Sequence, residues 1–220
     1  PKLVEFGSPM PGGTAAHGVH HLHVEGVTLA NSPFWTLAVR DARNATLRDV
    51  HVVTPRDATG YAHAPNTDGF NVQGADINIE RCTVRNGDDC VPVFAPSQRV
   101  RVHNVSCTGG NGVVAVLWPP YSVPGAVGDV VDMHVSELTL NATSTGVGVK
   151  TLAPFVGAAR NVSFINVTMH GVKNAVLVNV DGQSVASAAA SSSTVRDMLV
   201  SDVRGVGTRS AGHFSCAAAR

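Results

Sequence analysis

The stretch Ile77-Asn78-Ile79-Glu80-Arg81-Cys82-Thr83-Val84 carries apolar side chains at positions i, i+2, i+5 and i+7, with polar ones between. The i, i+2 step is the period of a strand with one buried face, and the skip to i+5 reads as a bend into a second short strand. The template recurs at Leu22, Val24, Val27, Leu29, at Ala45, Leu47, Val50, Val52 and at Val100, Val102, Val105, Cys107. It continues at Met133, Val135, Leu138, Leu140 and at Val162, Phe164, Val167, Met169. A seventh copy, Met198, Val200, Val203, is weaker, with Gly205 where its fourth apolar residue belongs. Successive copies begin 23, 32, 23, 33, 29 and 36 residues apart.

A second strand signal follows the copies, beginning near Trp35, Phe70, Val91, Val113, Val147 and Val176. Short strands in a unit of about 23 residues, with insertions of variable length, describe the coil of a parallel β-solenoid. The expected architecture is all-β: one parallel β-helix domain over residues 1–220, of about seven coils. An antiparallel sandwich also has short alternating strands, but it has no reason to repeat one skip pattern seven times. The Ala/Ser-rich stretch from Ser184 to Thr194 reads as a flexible insertion between the last coils.

Composition agrees and narrows function. With 44% apolar residues, 16 Lys plus Arg and 16 Asp plus Glu in 220 residues, the chain has an ordinary core and no net charge. A balanced charge offers no footprint for nucleic acid or an anionic membrane surface. The longest apolar run, Val113 to Trp118, is far short of the ~18 residues of a membrane helix. Only 15% of residues are charged, with 22 Gly and 12 Pro, which favours strands and tight turns over long helices.

Stacked coils put equivalent positions ~4.8 Å apart. Asp68 lies two residues before Phe70, Asp89 two before Val91 and Asn111 two before Val113, so these three side chains are expected to stack, with Asp88 beside the middle one. Like charges at that spacing are costly, and such a cluster points to chemistry or a cation rather than stability. General acid/base hydrolysis by carboxyl groups of unequal pKa and a Ca²⁺ site of oxygen ligands both fit; a solvated acidic edge is the bland alternative.

The run Asn66-Thr67-Asp68-Gly69, then Gly87-Asp88-Asp89-Cys90, then Gly110-Asn111-Gly112 and Gly148-Val149-Lys150-Thr151 resembles the motif series of family 28 glycoside hydrolases, the polygalacturonase family. The upstream segment Asn31-Ser32-Pro33-Phe34-Trp35 is similar as well, and the resemblance runs from about Leu3 to Cys216. It implies a right-handed parallel β-helix and an inverting, extracellular, monomeric hydrolase of a galacturonan-type pectic backbone that needs no cofactor and no metal. It implies Asp88 as general acid, Asp68 and Asp89 as the pair activating water, Lys150 as the cation for a substrate carboxylate, and Asn66 orienting Asp68 or a sugar hydroxyl. Cys90 and Cys107 occupy the family's disulfide positions. The family's β-helix has further coils before the position of Pro1, so the chain reads as a fragment.

Three departures accompany the intact acids. Asn111 stands where the family has a His and cannot titrate; Gly148 replaces an Arg; a downstream Tyr is missing. They leave open a hydrolase of altered specificity, acting on a rhamnogalacturonan or a capped pectic chain, and a pectin-binding β-helix without turnover. A lyase fits poorly, because it needs Ca²⁺ and a basic residue near the trio. Cys82 falls on an apolar repeat position and reads as a buried thiol, and Cys216 as unpaired or bonded beyond Arg220. Sequons occur at Asn44, Asn104, Asn141, Asn161 and Asn166, some of them serving turns rather than glycans. His17, His20, His21 and His23 resemble a metal tract, but alternation with Leu22 and Val24 puts His21 and His23 on the solvent face.

Overall fold

The computed structural model describes residues 2–7, 18–54, 64–118, 128–151, 156–180 and 193–215. Its strands are β1 (Val4–Phe6), β2 (His20–Glu25), β3 (Thr28–Ala30), β4 (Leu37–Arg48), β5 (His51–Val53), β6 (Phe70–Arg85) and β7 (Asp89–Thr108). There follow β8 (Asn111–Val116), β9 (Val130–Asn141), β10 (Thr145–Lys150), β11 (Ala158–His170), β12 (Asn174–Asn179), β13 (Thr194–Val206) and β14 (Ser210–Ser215). Every pairing is parallel, and one path runs β1-β4-β6-β7-β8-β10-β12-β14. The chain is therefore an all-strand parallel β-solenoid.

The template sets the register. Leu22 pairs with Ala45, Ala45 with Ile77, Ile77 with Val100, Val100 with Met133, Met133 with Val162 and Val162 with Met198. Each apolar position thus stacks on its own kind, giving an interior of Leu47, Ile79, Val102, Val135 and Phe164 with almost no exposed surface. About five turns close over a buried interior, slightly fewer than the seven coils expected, because the first and last template copies are half exposed. Val200 at 38% exposed and Val206 at 70% show how open the last row is. Of the Ala/Ser-rich insertion, residues 184–192 lie outside the described residues, as do His17 and Cys216.

The skip in the template has a backbone cause. The residue before position i has positive φ in every copy, at His21, Asn44, Asp76, Arg99, Asp132, Asn161 and Asp197. The residue before i+5 does the same at Gly26, Asp49, Arg81, Asn104, Glu137, Asn166 and Asp202. One left-handed residue turns the chain without breaking the hydrogen-bonded ladder, and Asn and Asp tolerate that conformation best after Gly. In most copies the strand consequently runs straight through the skip, rather than splitting into two as the spacing suggests. The same residues clasp neighbouring coils: Arg99 grips Asp76 through Nε and a second guanidinium nitrogen at 2.6 and 2.8 Å, Arg81 grips Asp49 at 2.9 and 2.6 Å, and Asn161 Nδ2 donates to Asp132 at 2.7 Å. The sequons at Asn44, Asn104, Asn161 and Asn166 all sit in these two rows, so the backbone alone accounts for their Asn.

Cys90 and Cys107 are disulfide-bonded across 17 residues, joining the start of β7 to its end, and Cys82 is a buried free thiol. His21 and His23 are exposed, His21 accepting from Asn44 Nδ2 at 3.0 Å and His23 facing Glu25 at 2.9 Å. Because each interior position is filled by one side chain per coil, truncation leaves a void that neighbours held by two backbone ladders cannot close. Phe164→Ala is expected to cost about 3–5 kcal/mol, read as a lowered midpoint in urea unfolding.

Candidate active site

The strand starts of the first path deliver the acids. The N–H of Gly69 donates to the carbonyl of Asp89 at 2.9 Å, and Asp89 is the register partner of Asn111. Asp68, Asp89 and Asn111 therefore stand on consecutive coils, and Asp88 occupies the bend one residue before Asp89. The bends are fastened by polar groups that the sequence does not single out. Asn86, fully buried, donates through Nδ2 to the carbonyls of Thr67 and Asp89, both at 2.9 Å. Thr67 Oγ1 accepts from the N–H of Gly87 at 3.0 Å and donates to the carbonyl of Ala64 at 2.8 Å. Both bends are thereby held to each other before any charge is considered.

Each carboxyl has its own surroundings. Asp68 is 5% exposed and accepts from Asn71 Nδ2 at 2.7 Å. Asp88 is only half-buried and accepts from the N–H groups of Asn66 at 2.8 Å and Asp89 at 2.9 Å, and from Asn111 Nδ2 at 3.3 Å. Asp89 is 4% exposed and takes the Lys150 ammonium on Oδ2 at 2.6 Å, while its buried Oδ1 meets no donor among the described residues. The structure thus brings Asp68, Asp88, Asp89, Asn111 and Lys150 together. It places Asn66 against Asp88 through its main chain, and Asn71 takes the contact to Asp68. Alternation along β6 could have found Asn71, whose partner row faces out of the solenoid.

Charge follows this arrangement. Burial, then the neighbouring Asp89 and Asp88, push the Asp68 carboxyl well above its ordinary range, against opposing help from Asn71 and Lys150. Burial and Asp89 also raise Asp88, while the Asn66 N–H and Lys150 resist. Burial alone would lower Lys150, but Asp89, Asp88 and Asp68 outweigh it and hold the ammonium above its ordinary value. Such a set holds two carboxyl groups pushed toward their protonated form beside a third that is bound to an ammonium. Among the described residues, no group of three or more His, Cys, Asp or Glu is placed to hold a metal ion.

Comparison with known proteins gives a consistent neighbourhood. The model of the glycosyl hydrolases family 28 matches residues 7–219. Polygalacturonase QRT2 of Arabidopsis thaliana is 32% identical over 184 residues, 82% of this chain and 39% of its own length. An exopolygalacturonase of Zea mays is 25% identical over 202 residues, 89% of this chain and 47% of its own. Among solved structures, endo-xylogalacturonan hydrolase from Aspergillus tubingensis superimposes with a TM-score of 0.74 at 21% identity, over 93% of this chain and 53% of that one. The chain spans less than half the length of these two curated relatives.

Two stability outcomes follow from the site alone. A carboxyl whose pKa is raised on folding binds its proton more tightly in the native state, so its contribution is favourable below the ordinary range and is lost as pH rises through the raised value. Asp68→Asn is therefore expected to be more stable than the parent at pH 7, with the difference vanishing below about pH 4, in urea titrations at several pH values. Lys150→Met strands Asp89 without its partner and is expected to cost about 3–5 kcal/mol near neutrality, measured in the same titrations.

Proposed function

The chain belongs to the glycosyl hydrolases family 28, and from that premise we propose that it hydrolyses α-glycosidic bonds in the galacturonan-type backbone of a pectic polysaccharide, with inversion. The observation that carries this reading is the convergence of Asp68, Asp88 and Asp89 around one ammonium on consecutive coils. Asp88, the most open of the three, is the general acid; burial and Asp89 favour its protonated form, and it stands where a leaving glycosidic oxygen can reach it. Asp89, its Oδ2 fixed by Lys150, accepts the proton of the attacking water. Asp68 is the second member of that pair. Asn111 donates to Asp88 and cannot titrate, so it helps hold the acid without exchanging protons with it. The disulfide between Cys90 and Cys107 supports an oxidising, extracellular setting, and a monomer suffices because the acids come from one chain.

One observation favours a second reading, a pectin-binding β-helix without turnover. Lys150 is already committed to Asp89, and Gly148 and Asn111 stand where the family pattern has Arg and His.

Release of reducing ends from pectic polymers, with and without chelator, separates the alternatives. Chelator-insensitive release supports hydrolysis, no release supports the binding protein, and chelator-sensitive unsaturated product supports a lyase. Asp88→Asn is expected to lower kcat by about 10²–10⁴, and a variant with full activity removes Asp88 from the role of acid.

A further inference from the structure

The register extends the acid-bearing bends well beyond the acids. Asp89 pairs with Asn111, Asn111 shares its row with Thr145 through the pairing of Val113 with Val147, Thr145 pairs with Asn174, and Asn174 with Ser210. One residue earlier on each of these coils stand Asp88, Gly110, Ser144, Lys173 and Arg209. The ladder continues through this row: the N–H of Ser144 donates to the carbonyl of Gly110 at 2.7 Å, that of Asn174 to Ser144 at 3.0 Å, and that of Ser210 to Lys173 at 2.9 Å. Asp88 and Gly110 are half-buried, whereas Ser144, Lys173 and Arg209 are exposed, so the row opens to solvent as it leaves the acids. A Cβ at Gly110 would lie 2.1 Å from the carbonyl oxygen of Asp88. No side chain at that position can therefore stand between Asp88 and Ser144.

The chemistry of these two rows matches an acidic sugar chain. Asn111, Thr145, Asn174 and Ser210 are half-buried and carry amides and hydroxyls, which exchange hydrogen bonds with sugar hydroxyls. Beside them the outer row ends on two cations. Elsewhere the stacked coils set a basic side chain beside an acidic one: Arg48 beside Glu80, Arg81 beside Asp49 and Arg99 beside Asp76. Lys173 is stacked instead on Arg209, and like charges one strand spacing apart repel. A polyanion lying across both relieves that repulsion. By register they stand three and four coils beyond Asp88, about 14 and 19 Å along the stack. A pyranose in a polysaccharide is about as long as one strand spacing. A uronan whose reacting bond lies at Asp88 thus carries carboxylates to both cations, about three or four sugars along. The long stems of Lys and Arg let the charges reach either edge of that chain.

We propose that Lys173 and Arg209 hold the carboxylates of free galacturonate residues remote from the scissile bond, so that the chain grips a de-esterified stretch of uronan beside the point of cleavage. This rests on the hydrolytic reading above, and binding measurements let the two fail separately. Binding of a highly methyl-esterified galacturonan, and of the same polymer after saponification, is measured by affinity electrophoresis at low and moderate salt. The proteins are the full chain, its double variant Lys173→Gln with Arg209→Gln, and a control, Arg101→Gln with Arg204→Gln, which removes the same charge from exposed strand positions off the row. The first pair is expected to weaken binding of the saponified polymer about fivefold at low salt and to flatten its salt dependence. The esterified polymer, and the control pair on either polymer, are expected to change by less than about twofold. Unchanged binding of the saponified polymer, an equal loss on both polymers, or an equal loss from the control pair overturns the assignment. Hydrolysis is scored by the reducing ends that the unmodified chain releases. No release together with the selective binding loss overturns hydrolysis and supports the two cations as a uronan contact; release without that loss overturns the contact and leaves hydrolysis standing; absence of both overturns both.

Discussion

The constraint on which the rest depends is parallel stacking of coils in strict register. Once Leu22, Ala45, Ile77, Val100, Met133, Val162 and Met198 share one row, every other position of the coil is stacked as well, whatever its chemistry. An apolar row is stabilised by this, because each side chain is flanked above and below by another. For an acidic row the same spacing of ~4.8 Å is a liability, since the charges can neither separate nor turn inward. The fold therefore concentrates charge at the site, and the surrounding residues determine what that charge does.

What they do is divide three similar carboxyls into unequal ones. Asp68 is buried with an amide as its close donor, Asp88 remains open to solvent on one side, and Asp89 is buried but bound to an ammonium. No single residue type produces this difference; the depth of each bend does. Asn86 is the deepest brace, because its two hydrogen bonds connect the carbonyls of Thr67 and Asp89 and so fix the offset between the two acid-bearing coils. A site built this way has little freedom to relax, which is why its charges perturb one another so strongly.

Much of this is legible from residue identity, and the limits have physical causes. The apolar template states which side chains share a row, so the register of Asp68, Asp89 and Asn111 could be read by counting back from Phe70, Val91 and Val113. Counting cannot say how far a side chain reaches. Lys150 comes 61 residues after Asp89, yet its flexible stem folds back to it, and nothing local in Gly148-Val149-Lys150 signals that contact. The template also counts more turns than the structure closes, because it records hydrophobic spacing and not whether a neighbouring row exists to cover it. The spacing reads as a break between strands, whereas a single residue with positive φ turns the chain and keeps its ladder intact.

Gly148 shows how the backbone of one coil can exclude a side chain from the next. A glycine ordinarily leaves space that a larger side chain would fill. Here the carbonyl oxygen of Leu177 lies within bonding distance of where a Cβ would stand, so the next coil occupies the space. Any side chain at this position requires shifting β12 against β10, and β12 is tied by its own register to β14 beyond it. A coil in a solenoid cannot retreat alone, because each ladder of hydrogen bonds is shared with the next. The bare backbone of Gly148 and the approach of Leu177 are therefore one feature, and it belongs to the stack as a whole.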